Sequence, residues 1–112
     1  MKKTSILIAL SISFGAAHAE FWDGNRLFER LESSSLYVQG TALGYIIGVA
    51  DSQLGVTHCA PPNVTAGQLN DMMRNYLANN PAERHHTADV LVTRVMRSIW
   101  PCQNNQRRGQ PL

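Results

Sequence analysis

Histidines are the residues of this chain that could most readily bind a metal or move a proton. His58 lies beside a cysteine, and His85 and His86 are adjacent to each other. Adjacent residues point about 100 degrees apart on a helix, so this pair does not share a face as an H-x-x-x-H zinc site requires. We therefore expect solvated loop histidines or helix-start hydrogen bonds, with no metal. The alternative is a metal site that His58 forms with His85 or His86.

Asp51 is the acidic residue that ends an otherwise apolar stretch. A catalytic carboxylate needs a second acid, a histidine or a metal nearby, and the sequence indicates no such partner. We expect a structural role instead, in which Asp51 accepts from backbone donors or pairs with Arg84 or Arg94. A hydrolase would also need a Cys-His or Ser-His arrangement with a free nucleophile. The sequence therefore predicts no catalytic residue, no cofactor and no enzyme.

The N-terminus has the pattern of an export signal. Lys2 and Lys3 precede an apolar segment, residues 6–14, and the small residues around His18 form a cleavage site. Removing residues 1–19 from the 112-residue chain leaves 93 residues, which is one small domain. That part contains eight arginines and eight acidic residues, so it is formally neutral and lacks the basic face that nucleic-acid binding needs. We expect a periplasmic protein with no membrane attachment after cleavage.

The chain has two cysteines, Cys59 and Cys102. In an exported protein this count indicates one disulfide, and the absence of a C-x-x-C motif indicates a structural one. The bridge closes a loop of about 44 residues, which stabilises the fold by about 4 kcal/mol in the chain-entropy model. The alternatives are two free thiols or a metal site.

A central helix is the element around which the other helices must pack. It is predicted from about Leu36 to about Leu54, and its uncharged apolar run is shorter than the roughly 20 residues that span a bilayer. Gly40, Gly44 and Gly48 recur at every fourth position of this helix. Each interior glycine costs about 1 kcal/mol relative to alanine, so we expect the stripe to admit a neighbouring helix. The alternative is that the stripe forms a dimer seam.

Three further helices are predicted from caps and apolar periodicity. The first runs from Asp23, its cap, to about Ser34. Another begins at the capping box of Thr65 and Gln68, and the last begins at Asn80 or Thr87 and ends before Trp100. The fold class is all-α, a small bundle of four to five helices closed by one disulfide, over residues 20–102. Residues 103–112 are expected to form a polar tail.

Ordered motifs along the mature chain resemble those of the Rap/Tai family of type VI secretion immunity proteins. They are GN-x-L at Gly24–Leu27, GYI-x-GV-x-D at Gly44–Asp51, C-x-P-x-x-V-T-x-x-QL at Cys59–Leu69, YL-x-x-x-P at Tyr76–Pro81, RH-x-x-A at Arg84–Ala88 and WPC at Trp100–Cys102. The resemblance implies a periplasmic helical protein that binds a peptidoglycan amidase effector and occludes its catalytic cleft, often as a dimer. Members often carry two more cysteines, at positions that correspond to Leu31 and Ala42. Apolar packing is therefore expected to hold the first two helices together.

Exposed connectors are where a binding function is expected. We predict that the turn from Asn79 to His86 contacts the partner, with Val56 to His58 and Asn63 second. The candidate contact residues are Asn79, Asn80, Glu83, Arg84, His85, His86, His58 and Asn63. The alternative is that these residues only cap helices. The rival function is a periplasmic acid-stress chaperone, a small helical class with one long-range disulfide that exposes apolar surface at low pH.

Overall fold

The computed structural model of the protein describes residue 15 and residues 20–104. Within them the chain forms four α-helices and a short 3-10 helix, with isolated backbone bridges but no β-strand in these residues. The helices are α1 Gly24–Leu31, α2 Leu36–Gln53, α3 Ala66–Asn79, the 3-10 helix Pro81–Glu83 and α4 Ala88–Ile99. The all-α prediction is confirmed. The predicted signal segment, apart from residue 15, and residues 105–112 of the predicted tail lie outside the described residues.

Side-chain caps begin three of the four α-helices. The Asp23 carboxylate accepts from the Arg26 N–H at 2.8 Å, and Ser35 caps α2 in the same way. Thr65 and Gln68 form the predicted capping box, with bonds of 3.2 and 2.8 Å. α1 ends at Leu31, before the expected Ser34, because the serines that follow it form the turn that begins α2.

Asn80 occupies the cap position before Pro81, as predicted, but its side chain does not bond to the helix that follows. The Asn80 amide donates instead to the Tyr76 carbonyl at 2.8 Å, in the last turn of α3. Pro81 therefore begins a 3-10 helix, and α4 begins separately after Thr87.

Apolar side chains from all four α-helices form one core, and α2 packs against each of the other three. Leu31 and Ala42, at the positions where relatives often carry cysteines, are 2% and 0% exposed. Apolar packing thus holds α1 to α2, as expected. The buried core residues are Leu27, Leu31, Ala42, Ile46, Ala50, Leu69, Met73, Leu77, Ala88, Leu91, Val92, Val95 and Met96.

The glycine stripe of α2 lies on the opposite, exposed face. A Cβ atom placed on Gly40, Gly44 or Gly48 meets no atom within 4 Å. The expectation that the stripe admits a neighbouring helix of the same fold is therefore wrong for the described residues, because α2 packs through its apolar residues instead. Leu36 and Tyr37, at the start of this face, are 83% and 81% exposed. In the described part of the chain no helix is both long and apolar enough to span a membrane.

Candidate functional site

Backbone hydrogen bonds to α1 hold the connector between α3 and α4, residues 79–87, which we call the turn. The Gly24 N–H donates to the His86 carbonyl at 2.9 Å, and the Asn25 N–H donates to the Arg84 carbonyl at 3.0 Å. The first N–H groups of a helix have no partner within the helix. The turn supplies those partners, so two motifs far apart in the sequence, GN-x-L and RH-x-x-A, belong to one contact.

Gly24 is essential to this contact because the turn approaches it closely. A Cβ atom at Gly24 would lie 2.5 Å from Leu91 Cδ1 and 2.8 Å from both the Cα and the carbonyl oxygen of Arg84. These distances are shorter than real Cβ contacts, and the Arg84 atoms belong to the backbone. Glycine is therefore the residue that lets the turn rest on α1.

The Arg84 side chain fastens the turn to the end of α3. Its Nε donates to the Leu77 carbonyl at 2.7 Å, which satisfies one of the free carbonyls at a helix C-terminus. Its guanidinium carbon lies 4.2 Å from the centroid of the Phe28 ring, a cation–π contact with α1. Arg84 is thus occupied within the fold, and the hypothesis that it pairs with Asp51 is wrong.

Glu83 is the centre of a small charged network. Its Oε2 lies 3.0 Å from Arg94 Nη1 and 3.1 Å from His86 Nε2. Hydrogen bonds from Arg94 to Tyr76 and to Glu83 raise the pKa of the arginine above its ordinary value. Arg94 therefore pairs with Glu83, so the hypothesis that it pairs with Asp51 is also wrong.

The outer surface of the turn consists of the exposed residues Asn79, Pro81, Ala82, His85 and Thr87. His85 Nδ1 donates to the Ala82 carbonyl at 2.8 Å, which orients the ring. The rings of His85 and His86 lie against each other with centroids 4.0 Å apart. Of the predicted contact residues in the turn, Asn79 and His85 are therefore the most accessible to a partner.

An aromatic pair lies next to the start of α4. Trp22 stacks on Tyr45 of α2 with ring centroids 4.9 Å apart, and the Trp22 carbonyl accepts from the Ala88 N–H at 2.8 Å. Burial, together with the charge of Asp89, raises the pKa of the Tyr45 hydroxyl above its ordinary value. The start of α4 is thereby tied to both α1 and α2.

The predicted disulfide joins Cys59 to Cys102 at the opposite end of the bundle, with Cα atoms 4.9 Å apart. It connects the end of α4 to the loop of residues 54–64, which we call the proline loop. The Cys59 N–H also donates to the Trp100 carbonyl at 2.8 Å. Within the proline loop Val56 and Asn63 are exposed, as a contact surface requires.

His58 is 2% exposed, so the expectation of a solvated residue is wrong. Its Nε2 lies 2.7 Å from the Ala50 carbonyl, and its Nδ1 lies 3.2 Å from the Ala60 N–H. A carbonyl only accepts and an N–H only donates, so this geometry requires the neutral ring with its proton on Nε2. The side chain holds the proline loop to the end of α2.

The alternative of a metal site at His58 with His85 or His86 is wrong as well. The 12 residues of α4 separate the two ends of the bundle, a distance of about 18 Å at ~1.5 Å per residue. Among the described residues no group of three potential histidine, cysteine or carboxylate ligands could hold a metal ion.

Asp51 is exposed, and no basic side chain of the described residues forms an ion pair with it. It lies at a cleft of about 160 Å³ between α2 and the proline loop. Sequence reasoning singled out Asp51 but missed the cleft. The available signal was a lone carboxylate in an apolar run, followed by two prolines that cannot extend a helix.

These features define a small helical domain, closed by one disulfide and bearing an anchored turn at one end and a cleft at the other. A family model of Rap1a immunity proteins matches residues 23–102, which include all four helices and both cysteines. The chain belongs to the Rap1a immunity protein family, and the resemblance seen in its motifs is confirmed. It is an immunity protein against a secreted effector, and its partner is the cognate toxin. No curated protein gives a significant match.

Proposed function

We propose that the mature chain, residues 20–112, acts in the periplasm, where it binds a type VI secretion peptidoglycan amidase and occludes its catalytic cleft. The observation that carries this proposal is the anchoring of the turn on α1. Main-chain bonds from Gly24 and Asn25 hold the turn in one conformation while Asn79 and His85 face outward. A surface already ordered before binding loses little entropy on association.

Inhibition by occlusion requires neither turnover nor a cofactor. The Glu83, Arg84 and His86 side chains contact other groups of the fold and position the turn. Asn79 and His85 then supply direct contacts to the toxin, with Pro81 and Ala82 packing beside them. We expect the turn to enter the effector's cleft, since it combines exposure with fixed geometry.

The test is co-purification of the oxidised mature chain with the product of the neighbouring gene, followed by peptidoglycan cleavage assays. We expect a stoichiometric complex that abolishes cleavage. Replacing Asn79 and His85 together with alanine should weaken binding by at least about tenfold, as for central contact residues. Asn75→Ala, an exposed asparagine one helical turn earlier on α3, is the matched control and should bind normally.

Two results would overturn the proposal. One is the absence of any complex, together with suppression of client aggregation only at acidic pH, which is the behaviour of the chaperone class. The other is a complex whose affinity falls equally when Asn79 and His85 are replaced and when Asn75 is replaced. Occlusion by the turn requires a larger loss from the first change than from the second.

Periplasmic localisation has its own test. The export pattern of residues 1–19 is expected to direct cleavage before Glu20. Fractionation followed by mass spectrometry of the intact protein should find a chain that begins at Glu20 in the periplasmic fraction. Cytoplasmic protein that retains Met1 would contradict this localisation.

We also propose that two copies pair through the exposed face of α2. Gly40, Gly44 and Gly48 lie open on this face beside the exposed Leu36 and Tyr37, which a second helix could cover. Light scattering should find a dimer of the mature chain, and Gly44→Arg should convert it to a folded monomer because nothing within the protomer obstructs the new side chain. A wild-type monomer at the same concentration would contradict pairing.

A further inference from the structure

Most of the side chains that line the cleft between α2 and the proline loop are apolar. They include Leu54, Ala60, Pro62, Val64, Leu69 and Met96. Its volume is about 160 Å³. The cleft is therefore large enough for one long side chain.

One carboxylate, that of Asp51, lies at this apolar cleft. Neither arginine that sequence reasoning paired with it is available, since Arg84 bonds to the Leu77 carbonyl and Arg94 to Glu83. No lysine or arginine is among the residues that line the cleft. An apolar cleft with a single unpaired negative charge is complementary to a side chain that has an apolar stem and a cationic head.

The cleft is formed before any partner arrives. His58 forms part of its wall, and both ring nitrogens are bonded to the backbone, so the ring is neutral and does not repel a cation. The Cys59–Cys102 bridge fixes the loop that carries Ala60 and Pro62. A side chain that enters therefore does not have to order the loop first.

We infer that this cleft receives one lysine or arginine side chain of the toxin, with its stem against Leu54 and Met96 and its head beside Asp51. The inference rests on the proposed function for the identity of the partner. It adds a second contact, outside the turn, and assigns the chemistry of the residue that the toxin contributes. A single anchoring side chain that is stacked in an apolar cleft and paired at its head is a common form of interface hot spot.

The first test uses a small probe and does not depend on the toxin. Nα-acetyl-lysine amide is titrated into the isotope-labelled mature chain and compared with the neutral Nα-acetyl-norleucine amide. We expect the lysine probe to shift the amide resonances of Leu54 and Ala60 at lower concentration than the neutral probe. Asp51→Asn should abolish that difference. Equal shifts by both probes in the wild-type chain would overturn the role of Asp51.

The second test measures toxin affinity. Asp51→Asn should raise the dissociation constant about tenfold at low salt and by less at high salt, because added ions screen the charge pair. Asp71→Asn, an exposed acid on α3, is the matched control and should bind like wild type. A charge reversal would identify the entering side chain. It is the basic residue of the toxin whose change to glutamate weakens binding and for which Asp51→Lys restores binding.

The outcomes separate the two proposals. If the wild type inhibits the toxin and Asp51→Asn does so with equal affinity, the cleft inference is wrong and the immunity mechanism stands. If the wild type binds no toxin, the proposed function is wrong. The inference that a toxin side chain enters the cleft is then wrong as well. Thermal unfolding should be the same for Asp51→Asn and wild type, since the carboxylate has no ion pair to lose within the described residues.

Discussion

The two ends of the bundle immobilise their connectors by different means. At one end a disulfide and a buried histidine hold the proline loop to α2 and α4. At the other end the described residues contain no covalent cross-link. The turn is held there by the first N–H groups of α1, by the close approach of Gly24 and by the Arg84 side chain. The proline loop is thus fixed by a covalent bond, whereas the turn is fixed only while α1 packs against it.

This difference separates stability from binding. A disulfide acts largely by restricting the unfolded chain, so its loss lowers the stability of the whole fold. The bonds between α1 and the turn exist only in the folded state and set the position of Asn79 and His85 directly. We therefore expect loss of the disulfide to alter stability more than toxin affinity, and changes at the α1 contact to alter both.

The largest expected effect is loss of the disulfide. Replacing Cys59 and Cys102 together with alanine should lower the free energy of unfolding by about 4 kcal/mol in the chain-entropy model. Denaturant unfolding of the oxidised wild type and the double variant measures this difference. Toxin affinity of the fraction that remains folded should fall by less than for Asp51→Asn, because His58 still holds the proline loop to α2. A variant as stable as wild type, or one that is stable but does not bind the toxin, would break the comparison.

Gly24→Ala should have the next largest effect, and it should act at the turn. The new methyl group meets the Arg84 backbone at 2.8 Å, so α1 or the turn must move, at a cost of about 1–3 kcal/mol. Toxin affinity should fall as well, because the turn is displaced. Chemical unfolding and a binding assay measure the two effects.

The matched control for Gly24→Ala is Gly67→Ala in the first turn of α3. The nearest atom to that methyl group is Thr65 Oγ1 at 3.9 Å, an ordinary contact, and alanine favours the helix by up to about 1 kcal/mol over glycine. We expect this control to be as stable as wild type or more stable. If Gly24→Ala behaves in the same way, the turn does not depend on close approach to α1.

Much of this fold follows from local sequence. The cap at Asp23 and the capping box at Thr65 depend on residues within one turn of each other. The apolar periodicity of each helix identified the core-facing side, and the cysteine count identified the disulfide. Helix starts and faces are predictable because their causes are short in range.

What could not be predicted depends on contacts between distant segments. The glycine stripe and the apolar face of α2 are both suited to helix packing, and only the assembled fold decides which one is covered. His58 next to a cysteine has the pattern of an exposed loop residue. In the fold it is buried, and its Nε2 donates to the Ala50 carbonyl eight residues earlier. Charge alone suggests that Asp51 pairs with Arg84 or Arg94. In the fold Arg84 donates to the Leu77 carbonyl and Arg94 donates to Glu83.

Arg84→Ala should produce an intermediate loss of stability at the turn. It removes the hydrogen bond to the Leu77 carbonyl and the contact with the Phe28 ring, which together are worth about 1–2 kcal/mol. Arg84→Lys keeps the charge but lacks the planar group that does both, so it should restore only part of the loss. Hydrogen exchange should accelerate at Gly24 and Asn25 and not at Cys59. Equal acceleration at both ends would show that the bundle opens as one unit.

The smallest effect concerns alkaline pH and again distinguishes the ends. The ordinary pKa of tyrosine is 10.0, and burial with the nearby Asp89 charge raises the pKa of Tyr45 in the folded state. The unfolded chain therefore loses this proton first, so stability is complete below about pH 10 and falls as the pH rises through the raised folded value. Tyr45→Phe should reduce the fall in thermal midpoint above pH 10, whereas Tyr37→Phe, at a side chain 81% exposed, should not. Because Tyr45 stacks on Trp22, whose carbonyl receives the Ala88 N–H, alkaline exchange should rise first at Ala88 and later at the disulfide end. The reverse order would mean that the covalent end is the weaker one.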